Sequence, residues 1–311
     1  MTFILTPWKE KVKLVEEASI EKFMEDEEFR KAAEGARTLG YLKNSLSYSN
    51  VCFRVISNPE YEFEKWEEYG GYDPEESLWK RYVCTFNPLL LNILRSGFVP
   101  PWLRKESYVM IETKHFLVRP ITYSKVARGV VKCLGYEKHT GDSLVSSRDL
   151  ILAEAYSESK VDIKDIQRIY LIENAPEDIK KIVTDFAKKH NIELVEIPED
   201  PKEALRIISE KSQLYTSDKT VDRIYALADY LDKRSKACST EYLPINEPET
   251  LTRITVLDLP TLALLSIYDF PQYKDKPEAY FEALKGMVKT AIKDPDLTHK
   301  VKYACLIPKI E

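Results

Sequence analysis

A carboxylate and a lysine follow one of the apolar segments of this sequence, with a single residue between them. Residues 107–111 read Ser-Tyr-Val-Met-Ile, and Glu112 and Lys114 come directly after. Because side chains alternate along a strand with period two, both are expected on one face of a sheet. This pair suits phosphodiester hydrolysis: the carboxylate would hold a divalent ion, and the lysine would orient the attacking water or stabilise charge on phosphate.

The segments around this pair alternate between strand-like and helix-like patterns. The predicted elements are a strand at 107–111, a helix at 122–137, a strand at 168–173, a helix from Asn174 and a strand at 192–197. Asn174 with Glu177 three positions later has the capping-box pattern, and His190-Asn191 is expected to end that helix. Strands separated by helices of this length imply parallel pairing with right-handed crossovers. The sequence therefore predicts one α/β unit over residues 107–197.

Two further residues on the predicted helix at 122–137 extend the pattern. This order of elements with Glu-x-Lys resembles the core of the PD-(D/E)XK nuclease superfamily over about residues 95–197. RecB-like members carry Q-x-x-x-Y after the lysine, and this sequence has Lys132-Cys-Leu-Gly-Tyr136 at the matching place. The resemblance implies an α/β, restriction-endonuclease-like mixed sheet flanked by helices. It assigns a metal to Glu112 and water activation to Lys114, and it gives Lys132 and Tyr136 a supporting or phosphate-binding role.

The stretch before the pair departs from the family pattern. Members place an aspartate about a dozen residues upstream in G-h-h-D, where h is apolar, whereas this chain reads Gly97-Phe98-Val99-Pro100. Because Mg²⁺ needs several oxygen ligands, Glu112 alone would make a weak site for Mg or Mn. The carboxylates considered as substitutes are Glu106 first, then Asp73, Glu75 and Glu67. Both an active site and one that has lost its metal are compatible with these residues.

Several functions remain open at this point. The first is a metal-dependent nuclease, or a degenerate nuclease-like protein that binds DNA or RNA, in repair or defence. The second is a non-catalytic subunit of a nucleoprotein assembly of the defence type, with protein partners. The third is a Rossmann-like ligand-sensing regulator in which Asn174 at a helix start recognises an anion. A purely structural interpretation makes Glu112 and Lys114 a salt bridge on the solvated face of an edge strand.

Outside this unit the chain has two other regions. Residues 1–95 are predicted to be helical and mixed, residues 96–199 to form the nuclease-like core, and residues 200–311 to be mainly helical. An apolar stripe at helical spacing supports a helix within residues 10–50. It consists of Phe29, Ala32, Ala33, Ala36, Leu39, Leu42 and Leu46. Asp200-Pro201 is expected to begin a helix in the third region.

Composition restricts the class of protein. The net charge of −5 excludes a basic footprint over the whole chain, so nucleic acid would need a local basic groove. The five scattered cysteines lack a C-x-x-C pair and are expected to be buried small side chains, although a cluster of distant cysteines stays open. Without an apolar run of about 18 residues, we expect no membrane association and a cytoplasmic location. Abundant Lys and Glu with nine glycines favour a thermophilic source.

Overall fold

The computed structural model describes residues 19–20, 24–77, 80–97, 107–114, 119–120, 151–237, 241–244, 251–254 and 275–293. The helices within them are α1 (Glu27–Ser49), α2 (Pro59–Tyr69), α3 (Leu90–Arg95), α4 (Glu177–His190), α5 (Pro201–Ser212), α6 (Thr220–Ala237) and α7 (Pro277–Lys293). The strands are β1 (Val51–Ile56), β2 (Gly71–Tyr72), β3 (Tyr82–Thr85), β4 (Val109–Lys114), β5 (Arg119–Pro120), β6 (Glu154–Ser157), β7 (Val161–Asp162), β8 (Ile166–Ile172), β9 (Glu193–Ile197), β10 (Glu241–Pro244) and β11 (Leu251–Ile254). Two 3-10 turns are formed by Pro74–Glu76 and Ile163–Asp165.

Seven strands form one mixed sheet in the order β5-β6-β3-β1-β4-β8-β9. Neighbouring strands are antiparallel except for β8 and β9, which are parallel. The predicted α/β class with a mixed sheet is therefore confirmed. The register places Phe53 of β1 opposite Glu112 of β4, and Glu112 opposite Arg168 of β8. Glu112 and Lys114 lie within β4, because this strand extends beyond the apolar run that predicted it.

The prediction of parallel pairing holds for the second half of the α/β unit and is wrong for the first half. Strands β8 and β9 are parallel and joined by α4, as the strand–helix–strand pattern indicated. Strands β4 and β8 are antiparallel neighbours. The reason is that β6 pairs with β3 on the far side of β1, so the chain between β4 and β8 is not a single crossover. The predicted helix at 122–137 lies outside the described residues.

Helices cover both faces of the sheet. On one face, α2 and α4 pack together through the stacked rings of Phe63 and Phe186, whose centroids are 4.0 Å apart. Trp66 of α2 contacts Tyr82 of β3 on the same face. Helix α5 lies on the opposite face, where Ser212 reaches Tyr170 of β8. Burial of each large aromatic side chain contributes about 1.5–3 kcal/mol, so these contacts hold the layers together.

The chain forms two compact units, and their bounds differ from those of the three regions predicted from the sequence. One unit comprises residues 38–121 and 151–228 and contains the whole seven-stranded sheet. The other comprises residues 1–37, 122–150 and 229–311. Strands β1 and β3, from the region predicted to end at residue 95, pair in the same sheet as β4.

The terminal regions agree with most of the predicted helices. The stripe on α1 is buried except for Ala33, which is half-buried. Asp200 caps α5 by accepting bonds from the backbone N–H groups of Lys202 and Glu203. Helices α6 and α7 agree with the mainly helical character predicted for residues 200–311, whereas β10 and β11 form a pair of strands there. No helix among the described residues has both the length and the apolar character needed to cross a membrane.

Candidate functional site

Glu112 is buried in the middle of the sheet. It is 2% exposed, and its strand β4 is hydrogen-bonded to β1 on one side and to β8 on the other. The interpretation of Glu112 as part of a salt bridge on a solvated edge strand is therefore wrong. Charged side chains are almost never fully buried unless they are paired, so the partners of this carboxylate decide its role.

Three side chains donate hydrogen bonds to the Glu112 carboxylate. The Arg168 Nη1 atom lies 2.8 Å from Oε1, while the Tyr170 hydroxyl lies 2.6 Å and the Ser212 hydroxyl 2.7 Å from Oε2. The Tyr170 and Ser212 hydroxyls are themselves 3.0 Å apart. Both carboxylate oxygens are thus occupied, and the negative charge faces a guanidinium.

Strand alternation and helix ends bring these partners together. Arg168 and Tyr170 are two residues apart in β8, and the register pairs them with Glu112 and Met110, so the three polar side chains share one face. Ser212 is the last residue of α5, which ends at Gln213 in the left-handed conformation with φ 55°. The neighbouring residue Thr113 belongs to the opposite face.

Two more side chains continue this arrangement across the surface. The Arg168 Nε atom donates to Glu193 Oε2 at 2.9 Å, and Lys211 Nζ lies 2.5 Å from the other Glu193 oxygen. The side chains of Glu112, Arg168, Glu193 and Lys211 therefore alternate in charge, and we call them, with Tyr170 and Ser212, the Glu112 network. Its formal charges sum to zero.

The pKa shifts within the Glu112 network favour a protonated Tyr170 hydroxyl and charged Arg168 and Glu193 side chains. Burial first, and then the Glu112 carboxylate, raise the pKa of the Tyr170 hydroxyl, so this group stays protonated and donates. Desolvation opposes the charge of Arg168, but Glu112, Tyr170 and Glu193 outweigh it and raise the pKa of the guanidinium. The hydrogen bond from Lys211, followed by the charges of Lys211 and Arg168, lowers the pKa of Glu193 against the opposing effect of burial.

Lys114 does not share the environment of Glu112. It is the last residue of β4, its side chain is exposed, and it pairs across the sheet with Val51 at the start of β1. The two residues predicted to act together are therefore on one strand but differ in access to solvent. The carboxylate predicted to hold a metal is thus buried, while the lysine predicted to act beside it faces solvent.

The other predicted site residues are placed as follows. Glu106, Lys132, Tyr136 and Pro100 lie outside the described residues. Glu67 contacts Lys189 and His190, Asp73 accepts a bond from the Glu75 backbone N–H in a 3-10 turn, and Glu75 faces Lys80. Within the described part of the chain, no group of three or more His, Cys, Asp or Glu side chains is arranged to hold a metal ion.

Asn174, predicted to cap a helix and recognise an anion, has a different environment. Helix α4 begins at Glu177, three residues later than predicted, with Pro176 at the cap position. Asn174 accepts a bond from Arg95 Nη2 at 3.3 Å and donates to Glu199, which is also 2.7 Å from Arg95. The capping prediction is wrong because these distant partners hold the side chain instead.

Cys52 and Cys84 confirm the interpretation of the cysteines where the structure describes them. Both are buried free thiols on neighbouring strands, and Cys52 Sγ lies 3.1 Å from the Thr113 hydroxyl. Burial raises the pKa of the Cys84 thiol, which favours its protonated form. The other three cysteines lie outside the described residues.

Sequence patterns did not identify Arg168, Tyr170, Ser212 or Glu193 as site residues. One local signal was present: Arg168 and Tyr170 alternate within a strand that is apolar apart from Gln167, and a partly buried arginine calls for an acidic partner. Nothing local connects that strand with Glu112, 56 residues earlier, or with Ser212.

Comparison of the chain with protein-family models, with curated proteins and with solved structures gave no match in any of the three.

Proposed function

We propose that this chain is a nuclease-like protein that binds nucleic acid without cutting it, as a non-catalytic subunit of a nucleoprotein assembly. The observation that carries the proposal is the guanidinium of Arg168, which bridges the carboxylates of Glu112 and Glu193. In a metal-dependent nuclease a pair of carboxylates shares a divalent cation. Here a side-chain cation bridges the two acids.

The energetics favour the side-chain cation over a metal at this position. Two unit charges 4 Å apart repel by about 4 kcal/mol at an effective dielectric constant of about 20, and a divalent ion doubles this to about 8 kcal/mol. An ion on Glu112 would also have to replace the hydrogen bonds from Tyr170 and Ser212. Pro100, at the position where nuclease relatives place a second acidic ligand, supports the same conclusion.

The proposal also includes a narrower description of the fold, the partners and the location. The mixed sheet flanked by helices suits a restriction-endonuclease-like core, which we include as the narrower description of the α/β class. The partners would be DNA or RNA together with other proteins of the assembly, in repair or defence and in the cytoplasm. Under this proposal Mg or Mn is not required, and Lys114 serves as an exposed phosphate contact rather than a catalytic group.

A cleavage assay tests the loss of catalysis. Labelled single- and double-stranded DNA and RNA would be incubated with the purified chain in Mg²⁺ and in Mn²⁺, and we expect no cutting. Cutting by the wild type that disappears in Lys114→Ala would overturn the proposal, because it would assign catalysis to this strand. Lys181→Ala, which alters an exposed lysine on α4, is the matched control.

The binding half of the proposal needs a separate measurement. Fluorescence anisotropy with the same oligonucleotides in metal-free buffer should show saturable binding by the wild-type chain. Affinity purification should bring down nucleic acid or other proteins with it. A chain that binds neither oligonucleotide class and purifies alone would contradict a role in a nucleoprotein assembly.

A further inference from the structure

Three exposed tyrosines lie on α1 and just after α5, the helix whose last residue belongs to the Glu112 network. Tyr41 is 55%, Tyr48 88% and Tyr215 77% exposed. The other large apolar side chains exposed among the described residues are Met24 and Tyr61, so most of this exposed surface belongs to one group. We call Tyr41, Tyr48 and Tyr215 the tyrosine surface. Such large exposed rings normally mark a binding site when they cluster.

One ring contact and the geometry of α1 relate the three tyrosines. Tyr41 and Tyr48 are seven residues apart in α1, so they lie on one helical face about 10 Å apart along the axis. The rings of Tyr41 and Tyr215 meet edge to face, with centroids 6.4 Å apart. Tyr215 follows Ser212, the residue of α5 that binds Glu112.

Lys114 lies at the end of β4 that adjoins the C-terminus of α1. Helix α1 ends at Ser49, and Asn50 turns the chain into β1 with φ 54°. The first residue of β1, Val51, pairs directly with Lys114. The exposed ammonium therefore stands near the end of the helix that carries Tyr41 and Tyr48.

The local charge is positive. Residues 38–50 contain no Asp or Glu, the exposed Asp218 that follows Tyr215 is balanced by the exposed Lys219, and the Glu112 network neutralises its own charges. Lys114 adds one exposed positive charge. A polyanion can pair with Lys114 here. An acidic protein surface would find few other positive charges with which to pair.

We propose that the tyrosine surface stacks the bases of single-stranded nucleic acid, while Lys114 contacts one phosphate. This inference rests on the proposed function, since it assigns the surface through which that binding takes place. Helices α1 and α5 both end here. The partial negative charge at a helix C-terminus weakens the binding of a nearby anion by about 2–5-fold. Stacking of one base on an aromatic ring contributes about 5–150-fold, so bases rather than phosphates make the main contacts.

A protein partner fits the surface less well. Protein interfaces of ordinary affinity need an apolar centre within about 800 Å² per partner. The residues of α1 between and beside the tyrosines are instead small and polar, namely Asn44, Ser45, Ser47 and Ser49. Because base stacking uses the ring faces and not the sugar, DNA and RNA strands are expected to bind alike.

The test is anisotropy with labelled oligothymidylate and oligouridylate of about 15 nucleotides, a length that suits an aromatic groove. Tyr41→Ala, Tyr48→Ala and Tyr215→Ala should each weaken binding by about 5–150-fold, and the matching Phe variants should bind like the wild type. Tyr61→Ala is the matched control, because Tyr61 is 58% exposed and lies on α2. Lys114→Ala should reduce the dependence of log K on log salt by about 0.7.

The outcomes separate this inference from the proposed function. A wild type that binds the oligonucleotides while all three alanine variants bind equally well would overturn the tyrosine surface and leave the proposed function standing. Loss of a co-purified protein in those variants, with unchanged oligonucleotide binding, would overturn it in favour of a protein partner. A wild type that binds neither probe would overturn this inference, and it would contradict the proposed function as well only if the double-stranded oligonucleotides also fail to bind and the chain purifies alone.

Discussion

At the residue scale, the free energy lost on removing the Glu112 carboxylate depends on the side chains that are left without it as a partner. Breaking one side of a buried ion pair costs about 3–5 kcal/mol, because the other charge is left without its partner. Arg168 keeps Glu193 and is 23% exposed, which places the expected loss near the lower end of that range. The Tyr170 and Ser212 hydroxyls would also lose their acceptor.

We therefore predict that Glu112→Ala lowers the free energy of unfolding by about 3 kcal/mol, measured by urea denaturation. Glu112→Gln keeps a hydrogen-bond acceptor and should cost less. The control is Glu67→Ala, which removes an ion pair on a side chain that is 33% exposed and should cost no more than about 1 kcal/mol. Equal losses for Glu112→Ala and Glu67→Ala would contradict the assignment of a tightly held buried pair.

The Glu112 site could be predicted from sequence only in part. The apolar run before Glu112 and the alternation of a strand were enough to single out that residue. Its partners could not be predicted, because Arg168 and Ser212 reach it through pairing and packing over long sequence distances. The same limit explains Asn174, whose capping pattern satisfied every local rule while Arg95 and Glu199 held its side chain elsewhere.

At the element scale, local patterns succeeded where an element carries its own boundary signals. Helix α4 has an apolar stripe and ends at Asn191 in the left-handed conformation with φ 54°, as the residues His190-Asn191 indicated.

Strand β2 begins at Gly71, whose φ of 153° is strained for any residue with a side chain. A Cβ at this position would overlap the carbonyl oxygen of Val161 and lie 2.8 Å from Asp162 Cα in the paired strand β7.

Gly71→Ala should therefore lower the free energy of unfolding by about 2–3 kcal/mol, since the backbone of β7 cannot move away without losing its pairing. The contrasting variant is Gly286→Ala in α7, where a Cβ would meet nothing within 4 Å. That change should raise the free energy of unfolding by about 0.5–1 kcal/mol, because glycine is unfavourable inside a helix. Thermal and urea unfolding of both variants would check the opposite signs. A neutral Gly71→Ala would show that the close approach of β2 and β7 is not required.

At the scale of the whole molecule, the α/β class was predictable and the boundaries of the sheet were not. The alternation of strands and helices between residues 166 and 197 is visible in the sequence. The pairing of β4 with β1 is antiparallel and joins segments more than fifty residues apart, and no local pattern encodes such a partner. For this reason a core predicted at residues 96–199 omits two of the central strands.

A fragment containing only residues 96–199 should not fold. Without β1, the six residues of β4 lose the pairing that runs from Val109 opposite Ile56 to Lys114 opposite Val51. The unpaired edge and the apolar surface of β4 would then face water. Circular dichroism during urea titration should show no cooperative transition for the fragment, whereas the full chain should show one. A cooperative transition in the fragment would mean that β1 and β3 are dispensable.

Strand β9 has a consequence for how copies of the protein behave at high concentration. It is the last strand in the described order of the sheet, and such a strand presents free backbone groups to which another chain can add. Glu196 is exposed on one face of this strand, whereas Glu193 on the other face is paired with Arg168 and Lys211. Two copies approaching along this strand would bring their exposed Glu196 carboxylates near each other, and this repulsion opposes growth into fibres or aggregates by strand addition.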